Sequence, residues 1–422
     1  MMEEASLTGE TQHGDYDVVI AGGGLVGASL AAALAPSGKK ILVIESHPPD
    51  SARQPSYDER TVALTHTARV IFQAMGVWED IRSMGAEPIL DIHISDRGRS
   101  GQTHLSCKHV GTRALGYVVP TRVLGSILWD RLKPAGNIDI ACPGRVVESE
   151  PYRDHCQVKY ESGEHLQTVN CRLVVIADGG RSSLLKQHHL EPRTFEYPQS
   201  AVLCIVSMDR PHHGRAYERF TDEGPLALLP HCPLNGNHRY AVVWTTRNEN
   251  LEARLALEDR PFIRLLQSSF GDRAGNFTHP SPRKSYSLKR STLCRPDLDR
   301  TIVIGNAAHT VHPVAGQGFN LGLRDAAELS EIIFNTPAGQ VGTPSMIDLY
   351  YDSRARDTKM VSGFTHSLVS IFTSKRLFLP TARNLALQAI EHFPPAKRFL
   401  LRRTLGMHGR QSGLALGIPL GE

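Results

Sequence analysis

No C-x-x-C pair occurs among the seven cysteines, Cys107, Cys142, Cys156, Cys171, Cys204, Cys232 and Cys294, which are odd in number and widely spaced. That pattern excludes a disulfide framework and a zinc knuckle, and it suits reduced thiols in a cytoplasm. An excess of one charge is also missing: 47 Lys and Arg face 43 Asp and Glu, a net +4 over 422 residues. So small a surplus argues against nucleic acid as a partner. Internal repeats, low-complexity tracts and coiled-coil heptads are absent. Asn276-Phe277-Thr278 matches the glycosylation sequon but has no secretory context, so it is read as a chance match. What is present, 41% apolar and 21% charged residues, describes a globular chain longer than one ordinary domain.

One uncharged run, residues 18–38, is long enough to span a bilayer. Five of its residues are Gly, one is Pro36, and no basic segment precedes it, so a signal peptide or anchor fits poorly. A strand, a turn and a helix fit better. Asp15 to Ala21 reads as a buried strand, and Gly22-Gly23-Gly24-Leu25-Val26-Gly27 follows as G-x-G-x-x-G. Leu25 to Leu34 has a helical apolar pattern, and Lys40 to Ile44 is a second buried strand ending in Glu45. In this arrangement Gly22 permits the tight turn, Gly24 admits a pyrophosphate and Gly27 lets helix and strand pack closely. The helix N-terminus offers free N–H groups and about half a positive charge. Glu45, 23 residues after Gly22, can accept hydrogen bonds from ribose hydroxyls.

Two further glycine constellations follow buried strands. Arg172 to Ala177 leads into Asp178-Gly179-Gly180, where an acid and glycine at a strand's carboxyl end suit a cofactor crevice. Thr301 to Ile304 leads into Gly305-Asn306-Ala307-Ala308-His309, then His312-Pro313-Val314-Ala315-Gly316-Gln317-Gly318-Phe319-Asn320, where a helix carrying Asp325 begins. Its N-terminus would stabilise the negative charge of a reduced flavin, by about 0.3–1 kcal/mol and up to about 2 when partly buried. Alternating runs such as Ala201 to Val206 and Tyr240 to Trp244 mark a sheet module. The expected fold is α/β: a Rossmann-like dinucleotide-binding domain, for NAD or FAD since both carry an ADP half, over 15–85, 114–190 and 287–360. A β-rich substrate domain over 86–113 and 191–286 interrupts it, and a helical C-terminal region spans 361–422.

The three stations together resemble the class A FAD-dependent aromatic hydroxylases, the p-hydroxybenzoate hydroxylase fold, over nearly the whole chain, which implies that the Rossmann-like domain is an FAD-binding domain of the GR2 type. Asp58-Glu59-Arg60-Thr61-Val62-Ala63-Leu64 and Ala315 to Asp325 are similar to the ubiquinone-biosynthesis branch. Asn306 departs from the wider family's Asp, and 2-polyprenyl-6-methoxyphenol hydroxylases similarly carry Asn there. Asn306 can still accept a ribityl hydroxyl's hydrogen bond, without charge. The Asp178 motif also departs, since Lys186 comes one place after the family's Arg.

The resemblance implies FAD as cofactor and NAD(P)H as transient reductant, with no second dinucleotide fingerprint needed. It implies O₂ and a flavin C4a-hydroperoxide that hydroxylates a prenylated phenol. It assigns Glu45 to ribose, Arg60 to the pyrophosphate region and Arg122 to the flavin side. Gly305 and Asn306 then face the ribityl chain. Gly316, Gln317, Gly318, Phe319 and Asn320 face the isoalloxazine, and Pro313 lies over the ring near the reacting edge. No metal is expected, since His309 and His312 have no acid or thiol nearby in sequence. His309 reads as a hydrogen-bonded structural residue. His312, with an unperturbed imidazole titrating near neutrality, is the candidate for proton traffic with a phenol.

Residues 370–410 carry eight Lys or Arg and one acid, Glu391, so the near-neutral total conceals a basic tail on a body of net −3. Interleaved Leu377, Phe378, Leu379, Ile390, Phe393, Phe399, Leu400 and Leu401 make either a peripheral surface for the inner face of a membrane or a packed helix. Three functions remain open: hydroxylation of 2-polyprenyl-6-methoxyphenol, hydroxylation at another ring position or of a soluble phenol, and a non-catalytic organiser of a biosynthetic complex. Other ubiquinone-biosynthesis proteins and a second copy of the chain stay open as partners.

Overall fold

The computed structural model describes residues 12–49, 60–180, 182–312, 316–373, 379–407 and 409–421. The chain folds around the strand Gln12–Ala21, where Val18, Val19 and Ile20 are fully buried. Ile41–Ile44 and His165–Ile176 flank it in parallel, Ile138–Ala141 lies outside the former, and Thr301–Val303 pairs with the end of the latter. Successive residues point to opposite faces. Val18 and Ile20 therefore meet the core built with the helices Leu25–Leu34, Thr121–Leu132 and Gln317–Asn335, whereas Val19 and Ala21 meet Val158, Leu184 and Leu185. Covering both faces explains why this strand reads as an unbroken apolar run.

The expected strand 172–177 is the second half of a longer one. The first half of His165–Ile176 pairs antiparallel with Cys156–Ser162, and Arg145–Pro151 lies beyond that. Polar residues such as Gln167, Thr168 and Asn170 interrupt its apolar ones there, which hid it from a search for apolar runs.

A second sheet of nine strands has the order Gln102–Ser106, Asp91–Asp96, Arg215–Thr221, Gly224–Leu234, Asn237–Arg247, Arg193–Met208, Lys284–Thr292 and His309–Thr310, with Phe277–Pro280 pairing beside Arg193–Met208. Lys284–Thr292 runs through the boundary expected at 286/287 and pairs into this sheet along its length. One face of the sheet is closed by Asp259–Phe270, through Phe262, Leu266 and Phe270 against Val202, Val242 and Trp244. Three short strands, Thr61–Thr65, Gly116–Pro120 and Glu87–Ile89, form a third sheet. Helices Pro344–Thr373, Leu379–His392 and Pro394–Thr404 make the C-terminal region. Among the described residues no helix is long and apolar enough to cross a membrane.

A buried ionic network locks these parts. Asp325, 1% exposed on Gln317–Asn335, accepts from His309 Nε2 at 2.5 Å, from Gly305 N at 3.3 Å and from Arg354 Nε at 2.8 Å. Arg354 also reaches Asp357 at 2.7 Å, which pairs with Arg324 at 3.2 Å. Burial alone would raise the Asp325 pKa, but His309 and Arg354 outweigh it and hold it at about 2. Because the folded value lies below the unfolded one of about 3.9, this stabilisation is complete above about pH 4 and is lost as pH falls toward 2. Removing one partner of such a network strands a buried charge. Asp325→Ala is expected to lower stability by about 3–5 kcal/mol, read as a shift of the urea midpoint at pH 7; a shift under about 1 kcal/mol would show that the network does not hold the fold.

Candidate functional site

All three glycine-bearing loops leave the carboxyl ends of adjacent parallel strands, Gln12–Ala21, His165–Ile176 and Thr301–Val303. That edge is where a doubly wound sheet opens a crevice. Gly22 has φ +108°, and a Cβ there would lie 2.7 Å from the Ala177 and Asp178 backbone. A Cβ on Gly27 would collide with the Gly22 carbonyl oxygen. Both positions therefore require glycine, for the turn and for the close approach. Gly24 is the extended N-cap of Leu25–Leu34 and supplies no side-chain cap.

Glu45, 7% exposed, closes the turn from the other side. Its Oε2 accepts from Gly23 N at 2.7 Å, and its Oε1 accepts from His47 N at 2.9 Å. Trp129, unmarked in the sequence because an aromatic on an amphipathic helix reads as core, donates from Nε1 to Gly23 O at 2.9 Å. Asp178 stands beside Gly22, and burial raises its pKa to about 6, with the Glu45 charge adding to the rise.

At the third loop Gly305 N donates to Asp325, and the Asn306 side chain is exposed. A Cβ on Gly180 would lie 3.6 Å from Asn306 O, so the Asp178 and Gly305 loops adjoin. Gly316 caps Gln317–Asn335 in the left-handed region at φ +61°, again with no side-chain cap and no acid in the first turn. Helices that satisfy their own N-termini favour Ser, Thr, Asp or Asn at this position. Two helices here keep first-turn N–H groups for an anion.

The side chains after Gly316 point elsewhere than expected. Gln317, 3% exposed, donates to Thr404 O at 2.9 Å, and Phe319 packs near Phe72. Asn320, 2% exposed, accepts from Thr65 N at 2.8 Å and donates to Ala63 O at 2.7 Å and Gly316 O at 2.6 Å. These side chains anchor the loop to its neighbours, and the backbone of Gly316 to Gly318 is what remains for a ligand. Gly318 has open space, with Val311 at 4.0 Å from a built Cβ.

Arg60 and Arg122 come together across the pair Thr61–Thr65 and Gly116–Pro120, with Thr121 N donating to Arg60 O at 2.8 Å. The Arg60 guanidinium covers the Tyr286 ring of the second sheet at 4.8 Å, and Arg122 is exposed. Pro313, Val314 and Ala315 lie outside the described residues, as do Asp58 and Glu59.

His312 corrects the expectation of titration near neutrality. It is 1% exposed, edge-on to Tyr197 at 5.2 Å, and burial lowers its pKa to about 4. At pH 7 it is a neutral imidazole, able to accept a proton but not to supply one as imidazolium. Among the described residues no three His, Cys, Asp or Glu side chains gather into a metal-binding group.

The donor set tests well against FAD. Two uncapped helix N-termini suit a pyrophosphate and a flavin edge, Glu45 suits a ribose, and the Gly22 cradle leaves no room for a side chain. The profile of a family described as FAD binding domain matches residues 15–365. Ubiquinone hydroxylase UbiL of Rhodospirillum rubrum is 34% identical to this chain, covering 96% of it and 93% of the relative. The 3-demethoxyubiquinol 3-hydroxylase of Escherichia coli is 26% identical, covering 93% of this chain and 98% of the relative. The crystal structure of p-nitrophenol 4-monooxygenase PnpA from Pseudomonas putida matches with a TM-score of 0.76 at 18% identity, over 94% of this chain and 99% of that one, a likeness of fold.

With His312 neutral, its ring protons are expected to titrate with a midpoint near pH 4 in an NMR titration of the full chain. A midpoint near 6.5, abolished by His312→Ala, would return it to the role of a proton donor at neutral pH.

Proposed function

The chain belongs to the FAD-binding family of monooxygenases that includes the ubiquinone hydroxylases, and from that premise we propose that it hydroxylates the ring of a polyprenylated phenol, 2-polyprenyl-6-methoxyphenol. It is an FAD-dependent monooxygenase. The observation that carries the reading is the convergence of three motif loops and two uncapped helix N-termini on one sheet edge.

Bound FAD supplies the redox chemistry, taking electrons from NAD(P)H and activating O₂. The chain's residues bind and orient. Glu45 holds the adenosine ribose while the Gly22 to Gly24 turn and Leu25–Leu34 hold the pyrophosphate, with Arg60 beside it. Arg122 would lie to the flavin side, Asp178 would line the cofactor crevice, Gly305 and Asn306 would hold the ribityl region, and Gly316 to Gly318 would offer backbone N–H groups to the ring. Asn306 accepts without charge, so its bond to a hydroxyl is weaker than a carboxylate's. The neutral, buried His312 would form part of a dry wall beside the bound flavin in this reading.

The substrate is membrane-dissolved in this reading, and part of the basic tail suits a lipid surface. On Pro394–Thr404, Phe399 is 65% exposed between exposed Arg398 and Arg402, with Phe393 exposed just before the helix. Lys397 does not belong to that surface, because it is 7% exposed and paired with Glu391 at 2.8 Å. Leu400 and Leu401 turn toward Leu105 and Val118, and Leu377 and Phe378 lie outside the described residues. We assign the exposed group to an anionic inner membrane face, each basic residue contributing about 1 kcal/mol.

The purified chain is expected to carry about one FAD and to oxidise NAD(P)H faster with the phenol present, releasing hydroxylated product. Its removal from the cell should accumulate the unhydroxylated phenol; accumulation of a later quinone intermediate would move the reaction to another ring position. Arg398→Glu with Arg402→Glu should cut binding to phosphatidylglycerol vesicles at least about 10-fold, and unchanged binding would remove the membrane assignment.

A further inference from the structure

The second sheet has one face sealed and the other half-open. Val202, Trp244 and Val242 are buried under Asp259–Phe270. Leu203, Val243 and Ile94, which point the opposite way, are only half-buried. An apolar sheet face left half-covered can serve as the floor of a ligand site.

One acid interrupts that floor. Glu218 lies on Arg215–Thr221, directly opposite Ala227 on one neighbouring strand and Ile94 on the other. Ala216, two residues before it on the same face, packs in one cluster with Leu105, Val118 and Leu401. Half-buried Ile94, Leu229 and Ala63 border that cluster. Ala63 is the residue a Cβ on Gly316 would meet at 3.0 Å, so the flavin-side glycine loop and the strand that carries Glu218 border the same apolar cluster.

Glu218 makes no salt bridge or side-chain hydrogen bond among the described residues, and burial alone raises its pKa to about 7. Arg219, next in sequence, lies on the opposite face with Ser95, whereas Asp96 shares the face of Glu218. Asp96, diagonal to it in register, pairs with Arg99 at 3.7 Å. Lys284 stands four strands across the same face, about 19 Å away at the usual strand spacing. Tyr197 and the neutral His312 pack beside Leu203 and Val243. From the C-terminal region Leu400 and Leu401 reach this end, Pro344–Thr373 packs on Gly224–Leu234, and Leu379–His392 packs on Gln102–Ser106, where Thr103 donates to Leu387 O and Glu391 is held by Lys397.

We propose that Glu218 fixes the substrate ring by accepting the hydrogen bond of its phenolic hydroxyl. The inference rests on the reading of the chain as a phenol hydroxylase and names the residue that recognises the phenol. An electron-rich ring is what oxygen transfer from a flavin requires, and a carboxylate accepting from O–H pushes electron density into the ring without removing the proton. The prenyl tail then lies along the apolar stretch formed by Ala227, Val243 and Leu203. Stability argues the same way: an acid whose folded pKa is raised costs the fold stability as pH rises from about 4.5 to 7, so a purely structural role is disfavoured.

The test measures binding of 2-prenylphenol and of its methyl ether to the oxidised, FAD-loaded full chain, without reductant. A hydrogen bond to a charged acceptor predicts a preference for the phenol of about 10- to 100-fold at pH 8. The preference should shrink at pH 5.5, and in Glu218→Gln and Glu218→Met it should fall to within about 3-fold with ether binding unchanged. The thermal midpoint of Glu218→Met at pH 8 should not fall. Equal preference in wild type and both variants overturns the inference, as does a lowered midpoint with the preference intact. Binding of both compounds without preference overturns it alone, whereas binding of neither by wild type overturns the phenol reading with it.

Discussion

The buried carboxylate of Asp325 is the constraint on which the rest of the molecule depends. It accepts from the loop at Gly305, from His309 and from Arg354. His309 belongs to the short strand that extends the second sheet, and Arg354 belongs to the long helix Pro344–Thr373. One carboxylate thus joins a candidate cofactor loop, the sheet opposite it and the helical region. Two guanidinium groups and a second acid, Asp357, keep its charge balanced in a place where an unpaired charge would be prohibitive. A network of this kind does not make the fold more stable than a hydrocarbon core would, but it makes the relative placement of its members specific.

That placement matters because the site is built largely from backbone. Two helices begin at glycines that contribute no cap, and the side chains at Gln317, Phe319 and Asn320 are engaged in holding the second helix's start in place. Unused N–H groups at fixed positions are what an anionic ligand selects. The cost is that nothing local stabilises these turns, so they depend on remote contacts: Trp129 and Glu45 for the first loop, Asp325 and Asn320 for the third.

The glycine spacing, the buried strands before it and the acid after it were legible because each is a local pattern with a local cause. The strand Gln12–Ala21, the helix Leu25–Leu34 and the order of the three loops follow from them. What was not legible depends on partners far away in sequence. Asn320 sits within a motif but acts on Ala63 and Thr65, 257 and 255 residues distant. His312 looks like any histidine until burial sets its pKa. Lys397 counts as one more positive charge until Glu391 is found beside it. Glu218, between aromatics in Tyr217-Glu218-Arg219-Phe220, reads as an ordinary strand acid until the register shows which face it occupies.

The second sheet then divides labour between its faces. The sealed face carries the packing, with Trp244, Phe262 and Phe270 filling the space under the helix. On the opposite face Leu203, Val243 and Ile94 stay half-buried. A half-covered apolar surface is suited to a ligand that brings its own hydrocarbon, and an acid set among such residues is tolerable when the ligand also brings a donor. A phenol with a prenyl tail supplies both from one molecule. In the proposed reading that face suits a prenylated phenol better than a small soluble acid, whose carboxylate would meet Glu218 as a like charge.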